Sequence, residues 1–141
     1  MADKVTFYVA PNGNDGWSGK LCCPNIDGTD GPFATLGRAI TATREASDRP
    51  RHIIVRGGNY YDVAVELDAR DSGLTIEAFE GEIPMLYGGH VVTGWIKELD
   101  NNFWFAELPG VKEGRWDPRL LVVNGRFCPR ARLPKEGAFT H

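Results

Sequence analysis

The stretch His52-Ile53-Ile54-Val55-Arg56-Gly57-Gly58-Asn59 decides how the rest of the chain reads. A short β-branched run ends in glycine and asparagine, which is the composition of a strand running into a turn. The same pattern recurs downstream. Val63-Ala64-Val65-Glu66-Leu67 runs into Asp68-Ala69-Arg70-Asp71-Ser72-Gly73, and Leu74-Thr75-Ile76-Glu77-Ala78-Phe79 runs into Glu80-Gly81-Glu82. Pro84-Met85-Leu86-Tyr87 then runs into Gly88-Gly89. Strands therefore start about ten residues apart. An antiparallel sandwich or barrel spaces its strands this way. So does a parallel solenoid with coils of about twenty residues. The steps from Ile54 to Leu74 and from Val65 to Met85 fit the second.

Upstream, Val5, Phe7 and Val9 alternate with Thr6, Tyr8 and Ala10, the period of a strand. Pro11-Asn12-Gly13-Asn14-Asp15-Gly16 stops it and opens a long loop, through Trp17-Ser18-Gly19, that reaches Gly31-Pro32. Loops of that length are often functional or partly mobile. The single helical pattern follows. Thr35 is placed to cap it, and Leu36, Ala39, Ile40 and Thr43 fall on one face. Asp48-Arg49-Pro50 ends it, so the helix is expected over Leu36 to Ser47.

From Val91 onward the texture changes. Trp95-Ile96, Phe103-Trp104-Phe105-Ala106 and Leu120-Leu121-Val122-Val123 are strand material, with Asn101-Asn102 as a turn between the first two. Asn124-Gly125 suits both central positions of a type I′ turn. Leu120 to Val123 is therefore expected to pair antiparallel with Arg126 to Arg132, Pro129 making the return strand an edge or bulging it.

Composition excludes several classes. At 42% hydrophobic and 25% charged, the chain of 141 residues is neither disordered nor membrane-like. A net charge of -3 argues against a nucleic-acid partner, which needs a basic face. No apolar run is long enough to span a bilayer. Met1 to Val9 has no signal-peptide pattern, so the chain as written is expected in the cytoplasm, or in an extracellular or periplasmic space if a leader was removed. Cys22, Cys23 and Cys128 make neither a disulfide framework nor a zinc spacing and read as free thiols.

Phe7-Tyr8-Val9-Ala10-Pro11-Asn12-Gly13-Asn14-Asp15, followed by Gly31-Pro32-Phe33-Ala34-Thr35-Leu36-Gly37-Arg38-Ala39-Ile40, resembles the opening of right-handed parallel β-helix proteins of the pectate-lyase-like class. Ile53 to Tyr61 resembles their first coil, and Leu74 to Gly89 the second. The segment with Thr93-Gly94-Trp95, Phe103 to Pro109, Leu121 to Arg126 and Arg130-Ala131-Arg132-Leu133-Pro134 is similar to a small β-rich insertion that some β-helix glycoside hydrolases carry early in the solenoid. The resemblance implies a mainly β chain: an N-terminal strand, one capping helix and about two coils in residues 1–90, then an antiparallel β-rich insertion in 91–141. It implies a carbohydrate partner and the N-terminal part of a longer enzyme, a glycoside hydrolase, whose catalytic carboxylates lie on later coils. A non-catalytic carbohydrate-binding or adhesion module and a polysaccharide lyase are the alternatives.

Candidate site residues follow. Trp116, in Gly114-Arg115-Trp116-Asp117-Pro118, offers a ring for a sugar, while Trp95 and Trp104 read as core. Arg130 and Arg132 share one face of their strand and suit sugar hydroxyls or carboxylates, or pair with Glu107 or Glu136. Glu66, Asp68, Asp71, Glu77 and Glu80 read as solvated carboxylates and receive no catalytic role. No cofactor is expected. Calcium on Asn12, Asn14, Asp15, Asp27 and Asp30 is the one metal weighed, although the spacing is not that of an EF-hand.

Overall fold

The computed structural model describes residues 4–99, 102–129 and 137. The chain is mainly β with one helix, and it divides into two compact units, Met1–Val91 and Val92–His141. No helix among the described residues is long and apolar enough to cross a membrane.

The first unit is built on a parallel ladder. Strand β1 (Val5–Val9) pairs with β2 (Arg51–Val55), and β2 pairs with β4 (Leu74–Ala78). A second parallel pair joins β3 (Gly58–Tyr60) to β5 (Pro84–Leu86). The register stacks like on like. Phe7, Ile53 and Ile76 lie in one row, and Val9, Val55 and Ala78 in the next. Residues alternate across a strand, so one face of β1 and β2 is buried throughout.

Helix α1 (Leu36–Glu45) packs against β1 and β2 and supplies Leu36, Ala39, Ile40, Ala42 and Thr43 to the interior. Thr35 caps it: its hydroxyl accepts from the Arg38 amide at 3.2 Å. The helix ends earlier than the sequence suggests, at Glu45 rather than Ser47, because Ala46 takes extended backbone and its amide closes on Ala42. The loop before α1 is held in place by backbone bonds. Tyr8 N donates to Gly19 O, Phe33 N to Tyr8 O and Ala10 N to Phe33 O. These bonds cover the free edge of β1, which would otherwise offer unpaired donors and acceptors. Gly13 and Gly19 permit the approach. A Cβ on Gly13 would sit 2.2 Å from Phe33 O, and one on Gly19 2.3 Å from the Phe33 ring.

Two sequence expectations are corrected. Gly57-Gly58-Asn59 is not simply a turn, because Gly58 to Tyr60 is strand β3. Val63 to Leu67 is not a strand. It makes one ladder-like bond, Val63 N to Tyr87 O, and leads to a 3-10 turn at Ala69–Asp71. Residue propensity favours extended backbone there, but a strand also needs a partner ladder along its length. The spacing shifts accordingly. Ile54 pairs with Glu77 rather than Leu74, and Met85 with Asn59 rather than Val65.

Charged side chains tie the connections to the ladder. Arg51 is 2% exposed and donates to the carbonyls of Thr43 at 3.1 Å, Arg70 at 2.6 Å and Ser72 at 3.2 Å. Arg44 grips Asp71 through two bonds of 2.9 and 2.6 Å. Arg56 grips Glu82 through bonds of 2.8 and 2.6 Å, and its remaining arm donates to Cys22 O at 2.8 Å.

The second unit contains two antiparallel pairs, β6 (Ile96–Lys97) with β7 (Trp104–Phe105) and β8 (Leu121–Val123) with β9 (Arg126–Cys128). Asn124 and Gly125 have φ of 50° and 74°, the positive values a type I′ turn requires. Trp95 and Trp104 are not core as expected: they are 43% and 59% exposed. Strand composition marks them for pairing, but no large apolar side chain among the described residues of this unit is buried. Arg130, Arg132 and Asn101 lie outside the described residues.

Two outcomes follow from the ties. Arg51→Met keeps the apolar stem and leaves one buried and two part-buried bonds to carbonyls unmade. It should cost about 3 kcal/mol, read as a lower urea midpoint. A loss under about 1 kcal/mol would show that Arg51 is not a tie. The second concerns acid. The Arg44 guanidinium, then the Asp68 amide, hold the Asp71 carboxyl down at about 2, and Arg56, then the Gly57 amide, hold Glu82 at about 2. Both groups bind protons more readily unfolded than folded. Their stabilisation is complete above about pH 4.5 and is lost as pH falls toward about 2. Asp71→Asn should flatten part of that slope in acid titrations of the thermal midpoint, and an unchanged slope would count against the linkage.

Candidate functional site

A concavity of the first unit opens between the start of α1 and the chain after β3. Thr35, Leu36 and Gly37 form one side, and Tyr61, Asp62, Val63, Ala64 and Val65 the other, enclosing about 120 Å³. Alternation along β3 positions the far wall. Tyr60 points inward, is buried, and donates its hydroxyl to Arg56 O at 2.7 Å and to Val9 O at 3.2 Å. Burial pushes its phenol up to about 12, so it stays a neutral donor. Tyr61, the next residue, points outward. The parallel pairing continues past β3, with Tyr87 N donating to Tyr60 O and Val63 N to Tyr87 O. Tyr61 and Tyr87 are thereby stacked, with ring centroids 5.3 Å apart and planes at 15°, and both rings are part exposed.

Asp62 turns the chain at this wall with φ of 57°, a left-handed value that aspartate tolerates better than most residues. Its amide donates to Gly89 O at 3.2 Å, and its carboxylate meets the His90 imidazole. The near wall is set by Asp15. One carboxylate oxygen accepts from the amides of Ala34 and Thr35, both at 2.9 Å, and the other accepts from the Thr35 hydroxyl at 2.7 Å. Chemically the cavity is lined by a tyrosine, the apolar residues Val63 to Val65 and one aspartate. That combination suits a ligand with an apolar face and hydroxyls at its rim.

Of the substrate contacts expected from sequence, Arg130 and Arg132 lie outside the described residues and Trp116 belongs to the second unit. Trp116 is half-buried in its loop and donates its indole N–H to Pro109 O at 2.9 Å. Gly110 lies against its ring, where an added Cβ would be 3.3 Å away. Of the carboxylates, Asp68 is bound by Arg70, whose bonds hold it well below the usual carboxylate range, and Asp71 is bound by Arg44. Glu77 faces His52 at 3.4 Å, while Glu66 and Glu80 are exposed. Several of the acceptors weighed for calcium are engaged within the loop itself. Asp30 accepts from Ser18 N, Ser18 Oγ and Gly31 N, each at 2.8 Å, and Asn14 accepts from Gly16 N. Ser18 thereby keeps the Asp30 carboxyl low. Among the described residues no group of three or more His, Cys, Asp or Glu is arranged to hold a metal.

Sequence reasoning missed Tyr61, Asp62, Tyr87 and His90. The signal was present: Tyr60-Tyr61 follows Gly57-Gly58-Asn59, and Leu86-Tyr87 precedes Gly88-Gly89. Reading Gly58-Asn59 as turn concealed that Tyr61 and Tyr87 are ladder neighbours.

No protein-family model matches the chain, and no curated protein matches it. Among solved structures, one described as a glycoside hydrolase is similar, with a TM-score of 0.68 and 27% sequence identity. The likeness covers 93% of this chain and 22% of the other, so the chain spans under a quarter of the length of its structural neighbour.

The Asp15 and Asp30 bonds predict how the long loop responds to change. Asp15→Ala strips three acceptor contacts at the helix start and should lower stability by about 1–2 kcal/mol. Millimolar calcium or a chelator should leave the thermal midpoint of the unaltered chain where it is. A rise in midpoint with calcium would mean that those carboxylates bind the ion.

Proposed function

We propose that this chain is a segment of a carbohydrate-active enzyme, a glycoside hydrolase acting on poly- or oligosaccharide. Its parallel ladders are, on this reading, the opening of a right-handed parallel β-helix, with α1 covering the first rung. The structural likeness to a glycoside hydrolase over 93% of the chain carries the proposal. The stacked ladder of β1, β2 and β4 and the exposed tyrosine pair support it. The proposal places the catalytic acid and base outside this chain. Asp71 and Glu82 are fixed by arginines as structural ions, whereas glycoside hydrolysis needs two carboxylates facing one another across the scissile bond. Arg130, Arg132 and Trp116 remain proposed substrate contacts.

Hydrolysis of a panel of aryl glycosides and plant polysaccharides tests this, run on this chain and on the longest form of its reading frame. The long form should cleave, and this chain alone should not. Chelator-sensitive cleavage that leaves unsaturated ends would replace the hydrolase with a lyase. Glycan binding without turnover by the long form would make the protein a binding module.

A further inference from the structure

We infer that the cavity between Thr35–Gly37 and Tyr61–Val65 is a binding subsite for one ring of a neutral pyranose, with Tyr61 as its stacking surface and Asp62 as its hydroxyl acceptor. The inference rests on the carbohydrate-active reading above and adds a location and a sugar class to it.

Four observations converge. The first is the tyrosine pair. Tyr61 is 48% and Tyr87 41% exposed, so much of their apolar ring surface faces water. Stacked planes with a 15° tilt give Tyr61 a backing ring that fixes its orientation before anything binds. Rigid aromatic faces provide contact area at low entropic cost. The second is Asp62. Its left-handed backbone, which aspartate tolerates better than most residues, turns the chain at the cavity wall. The bond from its amide to Gly89 O and the contact of its side chain with His90 hold the carboxylate in place.

The third observation is size. At about 120 Å³ the cavity is well below the ~300 Å³ at which pockets for drug-sized ligands begin. It suits one ring of a chain lying across the surface and is too small for an enclosed reaction centre. Gly37 faces Val65 across it, where a Cβ would make ordinary van der Waals contact at 4.0 Å. The fourth is charge. Of the residues lining the cavity, Asp62 alone carries a formal charge, and it is negative. A carboxylate accepts hydrogen bonds from sugar hydroxyls but repels a uronate. The subsite therefore takes neutral rings such as glucose, xylose or mannose and disfavours galacturonate.

Saturation-transfer NMR and calorimetry on this chain test the subsite, using cellotetraose, xylotetraose, mannotetraose and tetragalacturonate as probes. At least one neutral tetrasaccharide should bind, and tetragalacturonate should bind at least tenfold more weakly. Tyr61→Ala should weaken the neutral ligand at least tenfold, Tyr61→Phe should retain it, and Tyr87→Ala should give a smaller loss. Asp62→Asn keeps a side chain that tolerates the left-handed backbone. It should weaken the neutral ligand several-fold and narrow the gap to tetragalacturonate. Far-UV circular dichroism and the thermal midpoint separate these effects from unfolding. Equal binding by Tyr61→Ala and the unaltered chain would overturn the subsite, as would a preference for tetragalacturonate. Failure of every neutral probe to bind would also overturn it. If the longer form still hydrolyses glycosides in those cases, only the subsite falls. If it hydrolyses none and no probe binds, the carbohydrate reading falls with it.

Discussion

Arg51 lies where the first unit is joined. It begins β2, so its backbone belongs to the central strand of the parallel ladder. Its side chain is buried and donates to Thr43 near the end of α1 and to Arg70 and Ser72 just before β4. One guanidinium thus satisfies carbonyls from the helix and from the approach to the next strand. Parallel strands need long connections, and each connection must return to register. A buried cation costs much free energy unless polar atoms surround it. The three carbonyls supply part of that environment at the terminal nitrogens, while Nε is buried without a hydrogen-bond partner. The arrangement is reciprocal: without the arginine the carbonyls are orphaned, and without the carbonyls the charge is.

Two further arginines repeat the device nearer the surface. Arg44 on α1 takes Asp71, and Asp71 in turn accepts from the Asp68 amide to close the 3-10 turn. Arg56, just past β2, takes Glu82, which also accepts from Gly57 N at 2.6 Å. A planar fork on a carboxylate fixes direction as well as distance, which a lysine would not. The acids most firmly held in this unit are therefore occupied in shaping turns. Asp62 also turns the chain and meets His90, and in addition it lines the cavity with Tyr61.

Much of the fold was legible in local pattern. Val5, Phe7 and Val9 read as a strand with one buried face, and they are one. Thr35 and the stripe of Leu36, Ala39, Ile40 and Thr43 gave the helix and its buried face, and Asn124-Gly125 gave the hairpin of β8 and β9. These features depend on residues within a turn or two of one another, where periodicity and backbone preference act directly. Misreadings arose where the deciding partner is distant in sequence. Val63 to Leu67 has strand composition without a full ladder, and Gly58-Asn59 has turn composition with a ladder supplied by Pro84 and Met85. Trp95 and Trp104 have core composition in a unit whose described large apolar side chains are all at least partly exposed.

The sequence by itself determined the β-rich class, the capped helix and the Asn-Gly hairpin. Each follows from composition or short-range periodicity. Tertiary structure decided which strands pair, that they pair parallel, and that Arg51 is buried among carbonyls. It alone brought Tyr61 against Tyr87 and set Asp62 opposite the first turn of α1. Those residues meet only after segments distant in sequence have come together in register. No local propensity encodes such a contact, because its free energy exists only when both segments are already in place.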